Sequence, residues 1–314
     1  MLIELKHAIR RSVFRKPYLY LKYLLKEVPE FPKHADIELT NICNLKCIMC
    51  PRERMTRKQG RMSFELFRKL FNEAGQYGLK DTWLHMYGDP LLHPDFFTLI
   101  EYAREKSPVT HLGVSTNCML LDEERAKKML KCGIDFVIFA LDGVKKETYE
   151  SIRILGDFEK VEGNILRFLE LRREEQGPTP RVRLQIIKME KTEKEWEAFK
   201  AKWAPLMRED DEVILKNFDT FANQVNADYN QAGESYRRKT PCPKPWESVA
   251  ILWDGRVSLC CYDMNCDKFV GNLNEKSLRE IWTGAAIQRE RRMHRSVSFE
   301  NDRVCGPCPY QDEM

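Results

Sequence analysis

The sequence predicts an α/β fold: a partial (β/α)6 TIM-like barrel followed by a small C-terminal α+β domain. Two observations carry the barrel. From Asp36 onward, short β-rich runs alternate with helix-period runs six times, the pattern of βα units on a parallel sheet. Six units fall short of the eight that close a barrel, so the sheet stays open. A third observation separates the tail: after the sixth strand the chain turns polar over residues 218–240 and resumes regular patterning only from Cys242.

In chain order, residues 1–35 form the first division. Lys6, Arg10, Arg11, Arg15, Lys16, Lys22 and Lys26 crowd there, interleaved with Ile9, Val13, Phe14, Tyr18, Leu21 and Leu25, which predicts an amphipathic leader helix packed on the barrel. Its charges break the apolar run, so it cannot span a bilayer. The barrel takes residues 36–220, with strands at 36–40, 82–87, 109–115, 136–141, 181–188 and 212–217. Helices are expected at 64–77, 123–132, 160–173 and 193–203, where apolar residues recur three and four apart. Residues 221–241 read as a linker or a loop over the open barrel side. In the tail, 242–314, the strands 248–253 and 256–260 flank Asp254-Gly255, a strong hairpin signal, and 276–282 reads as a short helix.

Composition is that of an ordinary globular protein. A formal net charge of +4 over 314 residues is too small to argue for nucleic acid. Eleven cysteines with clustered spacings and no secretory signal fit a reducing cytoplasm better than a disulfide framework.

Chemistry concentrates in Cys43, Cys47 and Cys50, a Cx3Cx2C run directly after the first strand, at the end where barrel folds place their active sites. A structural zinc site wants four closed ligands, and the nearest histidine, His34, lies beyond the strand. Three thiolates on a four-iron cubane leave one iron open. In this run the chain resembles the radical SAM superfamily, whose open iron binds S-adenosylmethionine (SAM). The resemblance implies further SAM contacts. Tyr87-Gly88-Asp89 stands where the family has Gly-Gly-Glu for the methionyl amino group, with Asp89 supplying the acid. Ser115 and Asn117 end strand three; Asp142 ends strand four and Arg153 follows it, in segments that meet the ribose and the methionyl carboxylate. A guanidinium offers a planar fork of donors for that carboxylate. Met49 takes the place of an aromatic residue near the adenine. Gln185 and Lys188 point to the barrel mouth if the strand register allows. Leu92-His93-Pro94 resembles a common family loop, and packing accounts for His85, His93 and His111.

The tail carries a second constellation. Cys242, Gly255 and Cys260, followed by Cys305-Gly-Pro-Cys308, resemble the SPASM auxiliary-cluster domain in its shortened twitch form, with the intervals of the dehydrogenase that oxidises 2-deoxy-scyllo-inosamine. Cys242, Cys260, Cys305 and Cys308 suffice for one auxiliary four-iron cluster. They would also satisfy tetrahedral zinc, and spacing alone does not choose between the metals. Cys261 and Cys266 are spare, and Cys118 and Cys132 read as buried small side chains.

The family implies reduction by flavodoxin or ferredoxin, cleavage of SAM to a 5′-deoxyadenosyl radical, and hydrogen abstraction from substrate. With a closed auxiliary cluster as electron acceptor, the expected reaction is oxidation of an alcohol carbon on a sugar, cyclitol or nucleotide sugar. A peptide or protein maturase uses the same two parts and is the alternative. A non-catalytic electron carrier would not need the SAM-type strand ends. No general base can be named from the sequence.

Overall fold

The structure is a computed structural model and describes residues 15–222, 224–225 and 237–310. The first described helix, α1 (Arg15–Leu24), falls inside the predicted leader; residues 1–14, with Lys6, Arg10 and Arg11, lie outside the described residues.

All six expected barrel strands form: β1 (His34–Ile37), β3 (Asp81–Trp83), β4 (His111–Thr116), β5 (Phe136–Ala140), β7 (Arg181–Ile187) and β8 (Glu212–Lys216). They pair in parallel in that order. Two short strands, β2 (Lys46–Cys47) and β6 (Arg153–Ile154), pair antiparallel outside the sheet. Between the strands run α2 (Phe64–Tyr77), α3 (Phe96–Lys106), α4 (Glu123–Lys131), α5 (Lys146–Ile152), α6 (Phe158–Glu174) and α7 (Glu190–Trp203). Their boundaries follow local chemistry. In α2 the Ser63 side chain accepts from Leu66 N–H, and Gly78 at φ 74° ends the helix in the left-handed conformation. Between those caps Leu66, Phe67, Leu70, Phe71 and Ala74 form the buried stripe against the sheet. Asp122 and Asp157 cap α4 and α6 in the same way as Ser63.

The tail comprises α8 (Lys244–Glu247), the hairpin β9 (Ser248–Ile251) and β10 (Arg256–Ser258), then β11 (Phe269–Asn272), α9 (Leu278–Thr283) and α10 (Ala285–Ser296). The hairpin and the short helix stand where the sequence puts them. What local pattern did not reveal is that β9 pairs in parallel with β1. One nine-stranded sheet therefore runs β11-β10-β9-β1-β3-β4-β5-β7-β8 through barrel and tail. The seam is sealed by charge as well. Arg57 pairs with the buried Glu38, with 2.6 Å between Nη1 and Oε2, and also donates to the Met264 carbonyl of the tail. Of the expected linker, residues 221, 222, 224, 225 and 237–241 are described, whereas 223 and 226–236 lie outside the described residues.

Candidate active site and auxiliary metal centre

The loop leaving β1 carries Cys43, Cys47 and Cys50 and is clamped on two sides. Cys47 faces Arg153 across the β2–β6 ladder, and Ile48 N–H donates to the Ile152 carbonyl at 3.0 Å. Opposite, Asp89 N–H donates to the Ile42 carbonyl at 3.0 Å. Gly88 approaches so closely that a Cβ there would stand 2.3 Å from the Thr40 carbonyl oxygen. Only glycine lets the segment after β3 reach the cysteine loop.

All three cysteines line one cavity of about 330 Å³, together with Tyr87, Gly88, Asp89, Ser115, Asn117 and Arg153. Two donors meet the sulfurs: Arg153 Nη1 is 3.5 Å from Cys47 Sγ, and Asn117 Nδ2 is 3.7 Å from Cys43 Sγ. Met49 also lines the cavity. Asp142, expected at the SAM carboxylate, does not. Its fully buried carboxylate accepts from Arg153 Nε at 2.8 Å and from Ile187 N–H at 2.6 Å, so it positions Arg153 rather than facing the cavity. Asp89 is similarly engaged, accepting from Leu91 N–H, Asn117 N–H and the Thr116 hydroxyl at 2.7–3.0 Å. Burial pushes its pKa up against the pull of those bonds. It ties the segment after β3 to the end of β4. Lys188 is not among the cavity residues; its ammonium pairs with Glu193 at 2.9 Å. Gln185, expected at the barrel mouth, does line it.

Motif reading missed a second group on the same cavity: Asp36, His85, Lys216, Cys261 and Tyr262. The available signal was polar residues within or at the ends of apolar strand runs. Asp36 Oδ1 is 3.0 Å from His34 Nε2, while Oδ2 has no hydrogen bond and lies 3.6 Å from Lys244 Nζ. Burial favours protonation of Asp36, but Lys244 and His34 outweigh it and hold the carboxyl well below the usual range. His85 Nδ1 is buried without a partner, and burial pushes the ring down to about 4, so it is neutral at pH 7. His93 shapes its loop through the Met62 carbonyl and Asp95 N–H, while His111 pairs with Asp81.

Cys242, Cys260, Cys305 and Cys308 line a second, far smaller cavity of about 20 Å³. The neighbour of Cys260 turns the other way: Cys261 faces the first cavity and its carbonyl accepts from Tyr87 Oη at 2.6 Å. Cys266 lines neither cavity. Arg238, buried beside the four thiols, donates to the carbonyls of Cys305 and Cys308. Tyr262 lines both cavities and donates through its hydroxyl to Asp219.

Both donor sets fit iron–sulfur clusters. Burial raises the thiols, Cys50 to about 11 and Cys242, Cys305 and Cys308 likewise upward. Among the described residues all are free of disulfides. Buried thiols gathered on one cavity become thiolates when a metal supplies the compensating charge. Three on an open cavity and four on a closed one match an open and a closed cubane.

The chain belongs to the radical SAM superfamily: residues 37–198 match that family, and residues 242–309 match the SPASM iron-sulfur cluster-binding domain. The family gives this enzyme a SAM-binding four-iron cluster, and the tail domain gives it an auxiliary iron–sulfur cluster. The tungsten-containing aldehyde ferredoxin oxidoreductase cofactor-modifying protein of Pyrococcus furiosus is 26% identical over 291 residues, 80% of this chain and 81% of that protein. A GTP 3′,8-cyclase of Desulforamulus reducens is 30% identical over 138 residues, and the match spans 43% of this chain and 42% of the cyclase. Among solved structures, BtrN in complex with AdoMet and 2-DOIA has a TM-score of 0.57 at 17% identity, covering 87% of this chain and 91% of that one. Streptococcus suis SuiB bound to precursor peptide SuiA has 0.66 at 12%, covering 87% and 69%. At these identities the likeness is one of fold. Among the described residues no helix is long and apolar enough to cross a membrane.

Proposed function

We propose that the protein oxidises an alcohol carbon of a small polyhydroxylated molecule, a sugar, cyclitol or nucleotide sugar, to the ketone. One observation carries this reading: the run Cys260-Cys261-Tyr262 is the wall between the two cavities, with Cys260 on the tail side, Cys261 on the barrel side and Tyr262 on both. A substrate in the barrel is then one side chain away from the tail centre. Carbinol oxidation removes a hydrogen atom from carbon, a proton from oxygen and one further electron. When bound, SAM on its cluster supplies the hydrogen-atom acceptor and the auxiliary cluster the electron acceptor.

The chain's own residues supply the rest. Cys43, Cys47 and Cys50 would hold the first cluster, and Cys242, Cys260, Cys305 and Cys308 the second. Arg153, held by Asp142, meets the SAM carboxylate beside Cys47. Asp36 Oδ2 and His85 Nδ1 are buried polar atoms without hydrogen bonds on the cavity wall, a cost that a hydroxylated ligand would relieve. Asp36 is too weak a base to take a proton and would hold a hydroxyl, with Gln185 and Lys216 beside it. His85, kept neutral because burial disfavours its protonated form, would likewise hold a hydroxyl, and the proton released on oxidation passes to solvent. The electron donor in this reading is reduced flavodoxin or ferredoxin, and the compartment is the cytoplasm.

The Pyrococcus furiosus relative is named for modifying a cofactor and the cyclase for acting on GTP, which supports a small-molecule substrate. The fold likeness to SuiB supports the second reading, a peptide maturase. The two separate in one experiment. Reconstituted anaerobically and reduced, the protein is offered a panel of cyclitols, sugars and nucleotide sugars beside short peptides. Formation of 5′-deoxyadenosine stimulated by a polyol, with an equal amount of ketone, is the expected result. Stimulation by peptides alone, or a product of unchanged mass, overturns it.

A further inference from the structure

His294 lies on α10 and has no place in any cysteine motif, yet it lines the tail cavity with Cys242, Cys260, Cys305 and Cys308. It is 1% exposed. Its two nitrogens are in different situations. Nδ1 faces the backbone N–H of Cys242 at 3.2 Å. An amide N–H only donates, so Nδ1 must present its lone pair, and the ring proton sits on Nε2. Nε2 is buried and has no hydrogen-bond partner. A buried donor left unmade costs about 1–3 kcal/mol, and native folds seldom leave one beside a cavity without use.

We infer that the Nε2–H of His294 donates a hydrogen bond to a sulfur of the auxiliary cluster and thereby sets its reduction potential. The inference rests on the assignment of those four cysteines to the cluster. The tautomer excludes a ligand role, because the nitrogen that would bind iron already carries the proton. Cluster sulfur is an acceptor, and it becomes a better one as the cluster gains negative charge on reduction. A donor at that position stabilises the reduced state more than the oxidised one, so the potential rises; hydrogen bonds to the sulfurs are among the terms that set it. His294 is a positioning and tuning residue that does not touch substrate. For the proposed oxidation it would make the tail a more willing electron acceptor. It also explains why a histidine is packed edge-on against Phe299, with ring centroids 4.9 Å apart, where an apolar residue would fill the space without a polar cost.

The test needs no substrate. In the full chain carrying Cys43→Ala, Cys47→Ala and Cys50→Ala, only the tail cluster contributes, and its midpoint potential is read by redox titration with EPR. His294→Leu should keep about four irons and move the potential to a more negative value. His294→Gln, which can both accept from Cys242 and donate, should return it toward the parent value. With ¹⁵N-histidine labelling, the parent should show a histidine-nitrogen hyperfine coupling on the reduced cluster that His294→Gln lacks; this reading does not depend on the Leu variant folding. An unchanged potential and no nitrogen coupling would mean that the N–H rests on the Phe299 ring instead, and would overturn the inference. Loss of all iron in His294→Gln would make the residue a ligand and overturn it too. Zinc in the parent tail would overturn the cluster assignment itself, a failure that the metal count distinguishes from the others.

Discussion

The two cysteine centres stand on opposite sides of one wall and are built on opposite terms. The barrel centre has three cysteines, all only partly buried, on a cavity of about 330 Å³ rimmed by strand-end polar groups. The tail centre has four, three of them buried, around about 20 Å³. Room beside the first set permits an exchangeable ligand. In the proposed reading, closure around the second would leave electrons as the only traffic.

The sharpest way to break this contrast is to empty each side in turn. Cys43→Ala, Cys47→Ala and Cys50→Ala together should cut about eight irons per chain to about four and abolish SAM cleavage. Cys305→Ser should also cost about four irons but leave reductive SAM cleavage in place, since that chemistry belongs to the barrel. Anaerobic iron and sulfide counts with a 5′-deoxyadenosine assay read both. A finer cut compares neighbours: Cys260→Ser should lose the tail cluster, whereas Cys261→Ser should keep the full iron content, because Cys261 lines the barrel cavity and not the tail cavity. Equal iron loss from both would collapse the distinction between the two cavities.

Next in size is the ion pair that serves the barrel side. Asp142→Asn leaves Arg153 buried without its counter-ion, and breaking such a pair costs about 3–5 kcal/mol. Denaturant midpoints should fall accordingly, and SAM affinity with them. Smaller still is a pH effect at the start of β1. Burial works against protonation of His34, but Asp36 and Asp81 accept from its two ring nitrogens at 3.0 and 2.5 Å and raise it to about 9. A folded value above the unfolded one means that the stabilisation is complete below about pH 6.5 and is lost as pH rises to about 9. The shift corresponds to up to about 3 kcal/mol. Wild type should therefore weaken across that window relative to His34→Gln in anaerobic urea titrations. Smallest is Tyr262→Phe, which removes one hydroxyl bond to Asp219 and should cost about 1 kcal/mol with both clusters retained.

Much of this was legible in advance. Buried parallel strands are apolar along their length, so all six barrel strands were found within a few residues. The second ended early, at Trp83, because the backbone must leave the ladder for Gly88 to reach the cysteine loop. Motif spacing gathered both cysteine sets. It could not assign Cys261, since which of two adjacent thiols faces which cavity depends on the seating of the hairpin. Asp142 read as a SAM contact because its partner Arg153, eleven residues on, returns to it only through the β2–β6 ladder. His294 and His85 carry no spacing signature at all. Their significance lies in an unmatched nitrogen, which only coordinates reveal.

The pairing of β9 with β1 bears on how the enzyme is made. On the ribosome β1 emerges early, while its second neighbour begins at Ser248, so one edge of the nascent barrel stays bare during most of synthesis. Bare edges invite pairing with other chains. Until the last quarter of the polypeptide has docked, the SAM half of the protein is an open template, and a chain interrupted before that point advertises its incompleteness to proteases and chaperones through its own first strand.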